Sequence, residues 1–119
     1  MDTILDMKCA EWGKTIADAV KDESVITKAL GVLQENGVYA FFLFLSANKK
    51  GYSSIKDKAF EFLKSDGIMK NIIGDANDPL KAAREALAKD IHALLFAKEM
   101  IERALVYARY HAKATGESA

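Results

Sequence analysis

The sequence predicts an all-α fold, a compact bundle of about five to six helices that ends in a long C-terminal helix. Apolar residues recur at spacings of three and four, the helical period. The chain from Leu80 to Ala114 contains neither glycine nor proline. The run before Asn36-Gly37 lacks the alternation that strands show. A chain of 119 residues predicts a single domain, 1–119, with frayed ends at 1–3 and 115–119.

The first two helices follow from apolar spacing and from a polar break between them. One face of the first helix is marked by Leu5, Cys9, Trp12, Ile16 and Ala19. Asp22-Glu23-Ser24 interrupts that pattern, and Ser24 is the predicted N-cap of the second helix. The second helix carries Val25, Lys28, Ala29, Val32 and Leu33.

Asn36-Gly37 separates an amphipathic run from a nearly all-apolar one. Such a pair can close a β-hairpin or end one helix in the left-handed conformation. The helix formers upstream and the missing alternation favour a junction between two helices. Gly37 is therefore the predicted end of one helix, and a buried helix is expected from about Val38 to Asn48.

The later elements are predicted from capping residues. Ser54-Ile55-Lys56-Asp57 resembles a capping box, and the helix that follows is expected to stop at Asp66-Gly67. Asp78-Pro79 has the form of an N-cap followed by proline at the first helical position. Residues 80–114 form either one helix of about 35 residues or two helices with a break at Lys89-Asp90.

Composition limits the class and location of the protein. Seventeen basic and seventeen acidic residues cancel, which argues against a histone-like binder of nucleic acid. The N-terminus lacks the features of a signal peptide, and the run Val38 to Leu45 is far below the roughly 20 residues of a membrane span. The single cysteine, Cys9, suits a reducing interior. We therefore expect a cytoplasmic protein with no membrane contact.

Signatures of catalysis and of metal binding are absent from the sequence. His92 and His111 have no carboxylate or second histidine at helical ligand spacing, and Cys9 has the character of a small core residue. Glu99 and Arg103 are spaced for an ion pair on one helix. We predict no enzyme activity, no cofactor, no metal and no small-molecule substrate.

Charge is segregated locally despite the zero net charge. No acidic residue lies between Glu35 and Asp57 or between Glu102 and Glu117. In the second window, Tyr107 and Tyr110 interleave with basic residues. A basic helix end with aromatic residues can contact phosphates and stack on bases. Alternatively, its cations only complement the negative end of the helix.

Three stretches of the chain resemble a known family, over about 90 residues from 25 to 114. The first runs from Lys28 through a short apolar segment to Asn36-Gly37, the second is the apolar helix after it, and the third is the closing helix, Met100 to Ala114. Together they resemble the small, all-helical subunit of type III-B CRISPR effector complexes, the fifth subunit of the Cmr complex.

The chain also departs from that family's pattern at three places. Tyr107 stands where the family has tryptophan, and Arg109-Tyr110 stands where it has a basic pair. Ala29 lies near a position where the family often has proline.

The resemblance implies a non-catalytic structural subunit of an RNA-guided, RNA-silencing ribonucleoprotein in antiviral defence. Its partners would be other Cmr subunits and copies of itself, stacked head to tail as a minor filament beside the guide RNA–target duplex, with contact to guide and target RNA through the backbone. With the two acid-free windows, it predicts phosphate contacts at six residues, Lys28, Lys49, Lys50, Arg103, Arg109 and Lys113. The alternative is a helical adaptor module that binds proteins and makes no direct contact with nucleic acid.

Overall fold

The computed structural model describes residues 3–48 and 51–115, which contain six α-helices and no strand. The predicted all-α bundle with a long C-terminal helix is confirmed. The helices are α1 (Thr3–Val20), α2 (Glu23–Ala47), α3 (Tyr52–Ser65), α4 (Gly67–Ile73), α5 (Pro79–Lys81) and α6 (Ile91–Thr115). α5 continues without interruption into a π-helical turn, Ala82–Ala86, and a 3-10 turn, Leu87–Lys89.

Helices α1 and α6 run parallel and approach each other closely. The Cys9 thiol lies 3.8 Å from the carbonyl oxygen of Met100. One turn further along α1, Gly13 packs against the backbone of Ala104 and Ala108. A Cβ atom on Gly13 would lie 2.6 Å from the Ala104 carbonyl oxygen, so only glycine allows this approach.

An aromatic cluster fills the core where α1, α2 and α3 meet. Trp12 of α1 stacks on Phe62 of α3, with ring centroids 5.6 Å apart. Phe42 of α2 makes edge-to-face contacts with Phe41 and Phe60, at 5.1 and 6.3 Å. Edge-to-face geometry stabilises aromatic pairs beyond the area that they bury.

Two predicted helix starts are wrong by a few residues. The N-cap of α2 is Asp22 rather than Ser24, and the Asp22 carboxylate accepts hydrogen bonds from the hydroxyl and the backbone N–H of Ser24. These bonds hold the pKa of Asp22 below its usual range. Helix α3 starts at Tyr52, directly after Gly51 with φ of 99°, so Ser54 does not cap it.

The predicted junction at Asn36-Gly37 is confirmed, with a different backbone geometry. Gly37 interrupts α2 with φ of 92° and ψ of −175°. The φ is positive, as predicted, but the extended ψ places the residue in a region that is essentially restricted to glycine, outside the left-handed helical region. The kink allows both parts of α2 to bury apolar residues, with Leu33 before it and Val38 after it.

Gly37→Ala is expected to destabilise the protein by about 1–2 kcal/mol, because strain in this backbone region outweighs the entropy that alanine removes from the unfolded chain. Urea unfolding would measure the change. Gly67→Ala is the matched control, because its φ is not positive and a Cβ there meets open space. Equal stability of the two variants would show that the kink imposes no glycine requirement.

Asp90 lies at a break within residues 80–114, for which the sequence predicted either one helix or two. Its backbone is extended, with φ of −140° and ψ of 102°. Its carboxylate accepts hydrogen bonds from the backbone N–H groups of His92 and Ala93 at 3.1 Å, which caps α6. The two-helix alternative is therefore correct. Asp78 caps α5 in the same way, with Pro79 at the first helical position as predicted.

Among the described residues, α2 is the helix long and apolar enough, by length and composition, to cross a membrane. Core helices of folded proteins pass the same test. Eight residues of α2 are buried in the bundle, and Gly37 interrupts the helix. Of the apolar window of α2, 39% is buried in the bundle.

Candidate nucleic-acid interface

The basic end of α6 brings three of the six predicted RNA-contacting residues onto one side of one helix. Arg109 and Lys113 are four residues apart and so lie about 40° apart around the helix axis. Arg103 lies further round the exposed arc, in line with Tyr110, which follows it by seven residues. The side chains of Arg103 and Lys113 are 45% and 64% exposed.

Arg103 is held toward α1 rather than toward its own helix. Its Nε lies 3.9 Å from Oδ1 of Asp6. Arg103 therefore pairs with Asp6 of α1 and not with Glu99 as predicted. Oδ1 is buried and has no hydrogen-bond partner among the described residues. Oδ2 of the same carboxylate accepts a 2.8 Å hydrogen bond from the Tyr107 hydroxyl. That bond, with burial, raises the pKa of Tyr107.

Lys113 faces the start of α2 on the other flank of α6. Its Nζ lies 3.8 Å from Oε2 of Glu23. Lys28, the predicted contact on α2, is exposed and lies five residues after Glu23, about 7.5 Å further along the helix axis. Five residues also turn the helix by about 140°, so Lys28 points away from the side of α2 that carries Glu23. Lys28 is therefore not brought to the α6 end, and no single helix face holds all the predicted cations.

The two tyrosines of the acid-free window have different environments. Tyr107 is half-buried and its hydroxyl is engaged by Asp6. Tyr110 is 59% exposed, and the guanidinium carbon of Arg109 lies 5.9 Å from its ring centroid. Only Tyr110 presents an aromatic face to solvent in this window.

Lys49 and Lys50, the remaining predicted contacts, lie outside the described residues. Their role stays a prediction from the sequence.

Sequence reasoning missed the carboxylates that reach this face from other helices. The window after Glu102 is free of acidic residues along the chain, but Asp6 of α1 and Glu23 of α2 approach it in space. Spacing rules predict contacts only between residues of the same helix. The sequence does show acidic residues in the first turns of α1 and α2, where carboxylates are favoured, but it does not show that they approach α6.

Comparison with protein-family profiles, with curated proteins and with solved structures finds no match for this chain. Within residues 3–48 and 51–115, no three His, Cys, Asp or Glu side chains are grouped so that they could hold a metal ion.

Cys9 has the environment of a core residue. It is fully buried between α1 and α6, and burial raises the pKa of its thiol to about 11. A nucleophilic cysteine needs the opposite, a lowered pKa and access to solvent.

We expect the Cys9 thiol to react with iodoacetamide at pH 8 at least about 100-fold more slowly in the folded protein than in concentrated urea, because the folded state disfavours both ionisation and access. The raised pKa also predicts that the free energy of unfolding falls as pH rises from about 9 toward 11, since the unfolded chain ionises first. Comparable alkylation rates in the two states would contradict this assignment.

Proposed function

We propose that this protein is a non-catalytic structural subunit of a CRISPR RNA-guided effector ribonucleoprotein, and that the end of α6 contacts the RNA backbone. The observation that carries the proposal is the exposed basic face of the last turns of α6. Arg103, Arg109 and Lys113 lie within an arc of about 120° around the helix, and no acidic residue follows Glu102 on it. The resemblance of three stretches to the small Cmr subunit supplies the class of assembly.

The geometry of the cations suits contact with phosphate groups. Arg103 and Lys113 lie at 3.9 and 3.8 Å from their carboxylate partners, and all four side chains are at least one-third exposed. Exposed ion pairs of this kind contribute about 0–1 kcal/mol and are screened by salt. A phosphate group can therefore displace Glu23 from Lys113 at little cost, whereas Arg103 would have to bind phosphate while it stays beside the buried Oδ1 of Asp6. The resulting contact would be independent of sequence and sensitive to salt.

The partners proposed for the assembled particle are other Cmr-type subunits and further copies of this chain, with guide and target RNA. An all-α fold agrees with what the resemblance implies for such a subunit. RNA cleavage would then belong to other subunits, and this chain would position RNA and protein. Contacts of Lys49 and Lys50 with RNA are proposed from the sequence alone.

The alternative is an adaptor module that meets only proteins. Asp6 and Glu23 favour it, because they partly neutralise Arg103 and Lys113 and leave a surface of balanced charge. Balanced surfaces with exposed apolar residues are common in protein interfaces.

Purification of the tagged, full-length chain from the cells that encode it separates the two functions. We expect it to recover guide RNA together with further subunits. Ultraviolet crosslinking followed by mass spectrometry should then join RNA to a peptide from residues 103–115. Recovery of protein partners without RNA would contradict the proposal and favour the adaptor. Crosslinks confined to other subunits would contradict direct contact.

A further inference from the structure

Tyr110 is an exposed aromatic ring that the core does not use. It is 59% exposed, whereas Tyr107, one turn earlier, is half-buried and donates its hydroxyl proton to Asp6. An exposed aromatic ring contributes little free energy of burial until a partner covers it. The groups around Tyr110 indicate the chemistry of such a partner.

One cation lies at the Tyr110 ring, and two more share its side of the helix. Arg109 places its guanidinium carbon 5.9 Å from the ring centroid. Arg103 precedes Tyr110 by seven residues and Lys113 follows it by three, which puts them about 20° and 60° away around the helix axis. Arg103 and Lys113 also lie within 4 Å of Asp6 and Glu23. An exposed aromatic ring beside cations fits a nucleotide, whose base stacks while its phosphates are neutralised.

A groove of about 280 Å³ lies along α6 before Tyr110. It is lined by Glu99, Glu102, Arg103 and Val106. Its two carboxylates repel phosphate, whereas Val106, four residues before Tyr110, offers an apolar surface. A nucleotide at Tyr110 would therefore direct its base toward the groove and its phosphates toward Arg109 and Lys113.

We propose that Tyr110 is a stacking platform for an unpaired RNA base, so that this face takes a single-stranded segment of RNA. The inference rests on the proposed function, but it assigns this face to unpaired RNA, whereas the resemblance implies a guide RNA–target duplex beside the subunit. In a duplex, the bases are stacked on each other and only the backbone and groove edges are exposed, so an aromatic side chain finds no free base face. Single strands offer that face for every base.

The test uses the full-length chain at low salt and a fluorescent poly-uridine strand of about 15 nucleotides. Tyr110→Ala is expected to weaken binding at least about fivefold, which is the lower end of the loss for one stacked base. Tyr110→Phe keeps the ring and should bind within about twofold of the wild type. Tyr39→Ala is the matched control, because Tyr39 is 43% exposed and lies on α2. An RNA duplex of equal length should show no loss with Tyr110→Ala.

The outcomes distinguish this inference from the proposed function. Suppose that Arg109→Gln/Lys113→Gln weakens binding while Tyr110→Ala binds like Tyr39→Ala. The stacking platform is then overturned and the backbone contact stands. If the wild-type chain binds neither the single strand nor the duplex, both direct RNA contact and the stacking platform are overturned. Equal losses on single strand and duplex would overturn the assignment to unpaired RNA.

Discussion

Gly13→Ala is expected to destabilise the protein by about 3 kcal/mol, at the upper end for overpacking a tight interface. The added methyl group would lie 2.6 Å from the Ala104 carbonyl oxygen and 2.6 Å from the Tyr107 Cβ atom. Backbone atoms of a long helix cannot move aside as a flexible side chain can. Helices α1 and α6 would have to separate, and the buried contacts along both would be lost.

Urea unfolding of Gly13→Ala beside Gly31→Ala would measure this effect. Gly31 also lies within a helix, but a Cβ there meets nothing within 4 Å. Gly31→Ala should therefore stabilise the protein by about 0.5–1 kcal/mol, the ordinary preference of a helix for alanine. If both variants shift in the same direction, close approach of α1 and α6 at Gly13 is not a requirement of the fold.

Phe42→Ala is expected to cost about 3–5 kcal/mol, because it removes a large buried ring and leaves a cavity. Phe42 is 1% exposed and makes edge-to-face contacts with Phe41 and with Phe60 of α3. The substitution thus removes contacts that join two helices. Since a domain of this size is stable by about 5–15 kcal/mol, the loss is a large fraction of the total.

Leu43→Ala is the control for Phe42→Ala, because Leu43 is the next residue on α2 and is 48% exposed. It should change stability by less than about 1 kcal/mol. Thermal unfolding followed by circular dichroism would report both variants. Similar losses at positions 42 and 43 would contradict the assignment of the core face of α2.

Local signals in the sequence predicted the places where helices begin and end. Asp78-Pro79 and Asp90 act through hydrogen bonds to the next few residues, so sequence alone identifies them. The kink at Gly37 is similar, because its positive φ is a property of one residue. The N-cap of α2 was missed because Asp22 and Ser24 are both good caps and bond to each other.

Tertiary contacts could not be predicted in this way. Nothing in the sequence around Gly13 distinguishes it from other helix residues, because the need for glycine comes from the close packing of α6. The Asp6 carboxylate meets Tyr107 and Arg103 only because α1 and α6 run parallel, which no spacing rule reports. The cations of α6 were found by their lack of acidic neighbours along the chain, but the carboxylates beside them come from other helices.

The salt dependence of RNA binding tests the central claim, that the end of α6 contacts the RNA backbone. For the full-length chain and single-stranded RNA, we expect the logarithm of affinity to fall linearly with the logarithm of salt concentration. Arg109→Gln/Lys113→Gln should reduce that slope by about 1.4, which corresponds to two lost phosphate contacts. Lys70→Gln/Lys81→Gln removes the same charge from exposed residues of α4 and α5 and should leave the slope unchanged. A slope unaffected by the α6 substitutions, or reduced equally by both pairs, would contradict the claim.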